Sequence, residues 1–180
     1  DTICHEHLEY YSLYSLKYLF DLADFKIINL SFNQINGGSI ELDIAKKISK
    51  HKECKHLIDW ILERESINKY NELHKLKSFF KECENHKHLL RKLLLKLKQE
   101  NKTILGYGAS TKGNVMLQYC NINSKIIKYI AEVNKFKFNK YTPGTNIKII
   151  SEHEAKLKKP DYFLVLPWHF KDHIIKRESR

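Results

Sequence analysis

Thr103-Ile-Leu-Gly-Tyr-Gly-Ala-Ser-Thr-Lys-Gly113 is the stretch that decides the fold. Thr103–Tyr107 reads as a short apolar strand. Gly106 to Gly113 reads as a glycine-bearing loop, and Val115, Met116, Leu117 and Tyr119 carry a helical pattern directly after it. Glycines let backbone N–H groups approach a ligand, and a helix N-terminus carries about half a positive charge, so phosphates bind there readily. Lys112 and the hydroxyls of Ser110 and Thr111 add to that expectation. The fingerprint is partial: the third glycine of the dinucleotide pattern is missing, and no Walker spacing precedes Lys112. A strand–helix turn tightened by glycine, with no ligand, is the competing reading.

Downstream, Ile126–Ala131 is a second strand, and Asn146–Ile150 a third after the turn at Thr142-Pro143-Gly144-Thr145. Ser151 opens a short helix, with Glu154 at capping-box spacing. Pro160-Asp161 leads into the apolar strand Tyr162–Leu166, and His169–Glu178 forms the last helix. Strands alternating with helices imply a parallel sheet with right-handed crossovers. The fold class is therefore α/β, with a Rossmann-like domain over residues 101–180. Asn134 and Lys137 follow the second strand, where such sheets present ligand contacts. Trp168, after the last strand, is expected to pack between helix and sheet, with a ligand role as the alternative.

Upstream, residues 48–100 are helical in period without proline or glycine, and are read as connecting helices, the last of some thirty residues. Residues 1–47 differ. Ser12 caps a helix to about Asp24, and Lys26–Asn33 and Gly38–Lys46 alternate as strands. Asn36-Gly37-Gly38 between them is turn chemistry, which predicts an antiparallel hairpin. One helix and a hairpin cannot make a core alone, so the sheet they complete is expected upstream of Asp1.

The chain has 180 residues, 42% hydrophobic and 29% charged, which excludes wholesale disorder. No apolar run approaches the roughly 18 residues of a membrane span, and no secretory signal opens the chain. Asp rather than Met at position 1 suggests a piece of a longer protein. Net charge is +11, yet only four of the 32 basic residues are arginine. Bidentate base reading needs guanidinium groups, so nucleic acid is not the expected partner, while the positive field favours an anionic ligand. Cys4, Cys54, Cys83 and Cys120 form no CxxC pair, which argues against a disulfide framework or a structural zinc site and for a reducing cytoplasm. Oligomeric state is not legible.

Cys4-His5-Glu6-His7 contains metal-ligating residue types, but neighbours on an extended segment point in opposite directions and cannot easily share one ion. No metal site is expected in this chain. A packed histidine and acid–base chemistry remain, since an imidazole titrates near neutrality and a carboxylate can orient it.

Asp-Thr-Ile-Cys-His-Glu-His-Leu-Glu-Tyr-Tyr-Ser at the start resembles the E-H-x-x-Y/F-x-S signature of S-adenosylmethionine-dependent sugar C-methyltransferases. Gly37-Gly38-Ser39 is similar to their Gly-Gly turn. G-Y-G-A-S-T-K-G-N from Gly106, Y-T-P-G-T from Tyr141 and P-D-Y-F-L-V-L-P-W from Pro160 resemble their C-terminal domain, in the same order. The resemblance implies three parts: a zinc-binding N-terminal domain, a class I methyltransferase domain, and a Rossmann-like domain that helps hold a nucleotide-linked 4-keto deoxysugar. This chain would keep the terminal helix and hairpin of the methyltransferase sheet (residues 1–47), the connecting helices (48–100) and the C-terminal domain (101–180). The S-adenosylmethionine loop and the zinc ligands would lie outside it. The resemblance places the base on His7, with Glu6 as charge partner or second acid–base group, and Tyr11 (or Tyr10) as a candidate substitute for a family tyrosine found where this chain has Cys4. Gly106, Gly108, Ser110, Thr111, Lys112, Asn134 and Lys137 would meet the nucleotide sugar. A non-catalytic nucleotide-sugar-binding module is the first alternative. A nicotinamide-dependent oxidoreductase, with Glu132 holding the ribose, is the second.

Overall fold

The computed structural model describes residues 7–35 and 38–179. The chain forms two compact units, Leu8–Glu82 and Cys83–Arg180, with His7 grouped in the second.

In the first unit, α1 (Leu13–Leu22) begins where the sequence predicts, with Ser12 Oγ accepting the Ser15 N–H. β1 (Phe25–Asn33) and β2 (Ser39–Lys46) pair antiparallel from Phe25↔Lys46 to Asn33↔Ser39, with a register shift between Ile27 and Asn29. The Asn36-Gly37 part of the predicted turn lies outside the described residues. Helix and hairpin do not stand alone: α2 (Lys55–Ile67) supplies Ile58 and Ile61 to a core with Leu13, Ile27 and Leu30. α2 also supplies a cap. The buried Glu65 carboxylate accepts the N–H groups of Leu13 at 2.6 Å and Tyr14 at 2.9 Å. It places a negative charge on the positive end of α1 and takes two donors that the helix cannot satisfy itself. Glu65→Ala is expected to lower stability by about 2–3 kcal/mol, because hydrogen bonds to a charged group are worth more than neutral ones and two donors, that of Leu13 buried and that of Tyr14 partly so, lose their acceptor. A urea midpoint within error of wild type would remove Glu65 from the stability of this unit.

The connecting helices read over 48–100 are α2 and a longer helix after it. α2 ends at Ile67 in a Schellman turn, in which Lys69 N–H meets Ser66 C=O and Tyr70 N–H meets Glu65 C=O, with Lys69 at φ +57°. α3 (Leu73–Gln99) then runs 27 residues.

The second unit holds β3 (Ile104–Tyr107), α4 (Thr111–Tyr119), β4 (Tyr129–Glu132), β5 (Lys148–Ser151), α5 (Glu152–Leu157), β6 (Tyr162–Val165) and α6 (Lys171–Glu178). The four strands are parallel, in the order β5-β4-β3-β6. One face packs Ile104, Ile130 and Ile149 against Leu94 of α3 and Leu117 of α4; the other packs Leu105, Tyr107, Ala131 and Ile150 against Ala155 of α5 and Ile174 of α6. This is the Rossmann-like α/β layering expected from the alternation of elements. β4 starts later than the sequence predicts. The amides of Ile126 and Ile127 both bond back to Asn123 C=O, so the two isoleucines belong to a turn, and Ile127 fills the core from there. β3 continues toward β4 and β5 on one side, whereas β6 lies on its other side. β3 and β6 are thus the neighbours at which the strand order reverses, the switch point beyond whose carboxyl ends open α/β sheets carry their ligand crevice.

Candidate functional site

Three segments meet at that crevice. The loop after β3 turns at Gly108, whose φ of +81° favours glycine; a Cβ there would stand 2.7 Å from both Cγ and Cδ of Pro167, in the loop after β6. Gly113, in the first turn of α4, is as close: its Cβ would lie 2.7 Å from Leu166 Cβ. Ser110 caps α4, with Oγ accepting the Gly113 N–H at 3.0 Å. Helix geometry aims the N–H groups of Thr111 and Lys112 out of the same end. Thr111 is exposed and Lys112 half-buried. His169, two residues after Pro167, has its pKa held below the ordinary imidazole value, first by burial and then by the Lys112 ammonium. Sequence reasoning missed His169, because nothing local in Pro167-Trp168-His169 says that the loop after the last strand comes back to the glycines. Trp168 is 46% exposed rather than enclosed between helix and sheet.

The third segment follows β4. Glu132, at the strand's end, is buried, and its carboxylate accepts the N–H of Ala109 at 2.9 Å, of Val133 at 2.8 Å and of Asn134 at 3.0 Å. Lys137 Nζ lies 3.6 Å from the same carboxylate and donates to Ala109 C=O at 2.8 Å. Asn134 Oδ1 accepts the Phe136 N–H at 3.0 Å and caps a single 3-10 turn. Gly106 sits inside β3, where a Cβ would meet Ile130 Cγ1 at 2.7 Å, so packing requires glycine there. The second unit thus brings Gly108, Ser110, Thr111, Lys112, Asn134 and Lys137 together around the carboxyl ends of β3 and β4. The Thr142-Pro143-Gly144-Thr145 turn is held by internal bonds, including Thr142 Oγ1 to Thr145 Oγ1 at 2.7 Å, and by Gln118 of α4 donating to Pro143 C=O at 3.0 Å.

Tyr107, one residue before Gly108, is fixed from the opposite face of the sheet. Its buried hydroxyl lies between the carboxylates of Glu152 and Glu178, 2.9 Å from the latter, and accepts from Arg177. Burial, then those carboxylates, push its pKa far above the ordinary phenol value. Lys156, 2.7 Å from Glu178, holds that carboxyl below its usual range.

Of the amino-terminal candidates, Glu6, with Cys4 and His5, lies outside the described residues. His7 is exposed. Tyr11 belongs to the first unit; its hydroxyl donates to Glu9, which raises the phenol pKa. It lines an open groove of about 480 Å³ with Glu9, Tyr10, Tyr14, Tyr18 and Leu19. Among the described residues no three His, Cys, Asp or Glu side chains gather into a metal-binding group, and no helix is long and apolar enough to cross a membrane. Cys54, Cys83 and Cys120 are free thiols.

NovU, a C-methyltransferase of Streptomyces niveus, is 32% identical to this sequence over 179 residues, or 99% of the chain. The chain spans 42% of the length of that relative. A sequence profile described as the C-methyltransferase C-terminal domain matches residues 34–180, which take in α2, α3 and the whole parallel sheet with its glycine loop. By that match the chain belongs to the C-methyltransferase C-terminal domain family.

Proposed function

We propose that this chain is the acceptor-binding, base-bearing part of an S-adenosylmethionine-dependent C-methyltransferase whose acceptor is a nucleotide-linked 4-keto deoxysugar. The observation that carries the reading is the approach of the loops after β3 and β6 at the point where the strand order reverses. There the α4 N-terminus, the turn at Gly108, Lys112 and His169 converge, a set suited to a diphosphate. His7 is the base in this reading. It takes the proton from the carbon next to the ketone, the C–H electron pair moves into a carbon–carbon bond, and the ketone oxygen becomes an enolate. Glu6 stabilises the resulting imidazolium.

S-adenosylmethionine supplies an electrophilic sulfonium methyl. The described residues of this chain do not fit that cofactor. A strand-end carboxylate is what usually holds an adenosine ribose in such folds, and Glu132 already accepts three backbone N–H groups and pairs with Lys137. The same commitment weighs against a nicotinamide reading. The donor site, and any zinc domain, are assigned to the length of such an enzyme that this chain does not span.

Calorimetry of the 180-residue chain with thymidine diphosphate is the test. Binding is expected, with Lys112→Ala weakening it by about tenfold or more, the loss of one charge-assisted contact. An absence of heat with the wild-type chain, or equal affinity in Lys112→Ala, overturns the reading. Cys4, in place of a family tyrosine, favours a second reading, a binding module without chemistry, which shares the diphosphate result and differs only at His7.

A further inference from the structure

Two consecutive peptide planes of the glycine loop are each pinned by one member of an ion pair. The Gly108–Ala109 peptide gives its N–H to Glu132 Oε2 at 2.9 Å, and the Ala109–Ser110 peptide gives its C=O to Lys137 Nζ at 2.8 Å. The two side chains approach to 3.6 Å. Glu132 is itself anchored, because its other oxygen accepts Val133 and Asn134 N–H groups at the end of β4. Gly108, with no Cβ, is the residue about which these planes could otherwise turn over, at little cost. From this geometry we infer that Glu132 and Lys137 are positioning residues: they lock the loop in the conformation that presents the α4 N-terminus to an anion. The inference rests on the diphosphate reading of that loop and gives Lys137 a different task within it, holding the loop rather than the ligand.

Electrostatics favours this division of labour. A backbone carbonyl near a phosphate is repulsive, and Ala109 C=O lies one residue before the cap of α4. Bound to an ammonium, that oxygen opposes an incoming anion far less than a bare one. The charge of Lys137 is in turn partly neutralised by Glu132. Lys112 thus remains the cation for the ligand, and the Glu132–Lys137 pair sets the shape of the loop.

The 180-residue chain and its Glu132→Gln, Lys137→Met and Lys137→Arg variants test this. Amide exchange at Ala109 and titration with thymidine diphosphate are the two readouts, and the strand amides of Leu105 and Ile130 report whether the fold persists. Glu132→Gln is expected to speed exchange at Ala109 by about tenfold or more and to weaken diphosphate binding by about tenfold, with Leu105 and Ile130 unchanged. Lys137→Met is expected to weaken binding by about three- to tenfold, and Lys137→Arg to restore it. Lys137→Met alters a side chain 42% exposed, so it supplies a folded variant should Glu132→Gln unfold. Unchanged exchange at Ala109 overturns the inference, as does wild-type affinity in both Glu132→Gln and Lys137→Met. Wild-type chain that binds no diphosphate overturns the functional reading and with it the ligand half of the inference; the exchange measurement then decides the loop half.

Discussion

Replacing His7 by alanine, in an enzyme completed with its methyl-donor domain, is expected to lower kcat by about 10²–10⁴-fold while leaving KM for the nucleotide sugar within a few-fold. That range is what one positioned base contributes. The split follows from the proposed separation of tasks: the diphosphate is held at the crevice beyond β3 and β6, whereas the imidazole acts only on the carbon being activated. A second measurement removes the methyl donor altogether. In deuterated water the base alone should exchange the proton next to the ketone, so deuterium should appear in the unmethylated sugar with His7 present and be lost in His7→Ala. Glu6→Gln should slow both processes less than His7→Ala, since the carboxylate acts through the imidazole. Wild-type turnover in His7→Ala would move the chain to the binding-module reading, with its crevice intact. Deuterium exchange that persists while methylation falls would give His7 a role in the methyl-transfer geometry instead of proton removal.

The parallel sheet was legible in the sequence because each of its signals is local. Thr103–Tyr107 is apolar and runs into a glycine loop, Ser151 precedes Glu154 at capping spacing, and Ser12 stands before a helical pattern; both serines cap as their spacing predicts, and Ser110, read only as a ligand hydroxyl, caps α4 as well. Helix ends were harder to read, for a reason specific to this composition. With six glycines in 180 residues, the left-handed residues that end its helices are Asp24, Lys69, Asn101, Asn121 and Lys159. Asparagine and aspartate tolerate that conformation and lysine does so only under tertiary constraint, so the break between α2 and α3 carries no glycine to mark it. Long-range contacts were not legible at all. Glu65 caps a helix that begins 52 residues earlier, and Glu132 holds the amide of Ala109, 23 residues earlier. Glu132 shows how a local rule misleads. An acidic residue ending the second strand reads as a ribose ligand, until the fold places three backbone donors around it.

Gly108→Ala is expected to destabilise the second unit by about 2–5 kcal/mol and to disturb the crevice with it. Two costs combine. A left-handed backbone costs an L-residue roughly 1–2 kcal/mol, and forcing a methyl group into a filled space typically costs about 1–3 kcal/mol. Here the new Cβ would stand 2.7 Å from two atoms of the Pro167 ring, which has no rotamer by which to withdraw. Gly144 is the control. Its φ of +72° imposes a similar backbone cost, but a Cβ there would meet the Gln118 side chain at 3.0 Å, and that flexible amide can shift. Gly144→Ala should therefore cost about 1–2 kcal/mol, the backbone cost with little else. The difference between the two urea midpoints isolates the wall that Pro167 makes. Pro167→Ala should recover part of the loss in Gly108→Ala and none in Gly144→Ala, a coupling a double-mutant cycle resolves. If Gly108→Ala proves no worse than Gly144→Ala, the loops after β3 and β6 are not in contact as described, and the floor of the crevice is open. If the coupling appears, the glycine is required by the approach of one loop to the other. The loss of diphosphate binding in Gly108→Ala would then report the displaced loop, since Lys112 and the first turn of α4 follow directly from it.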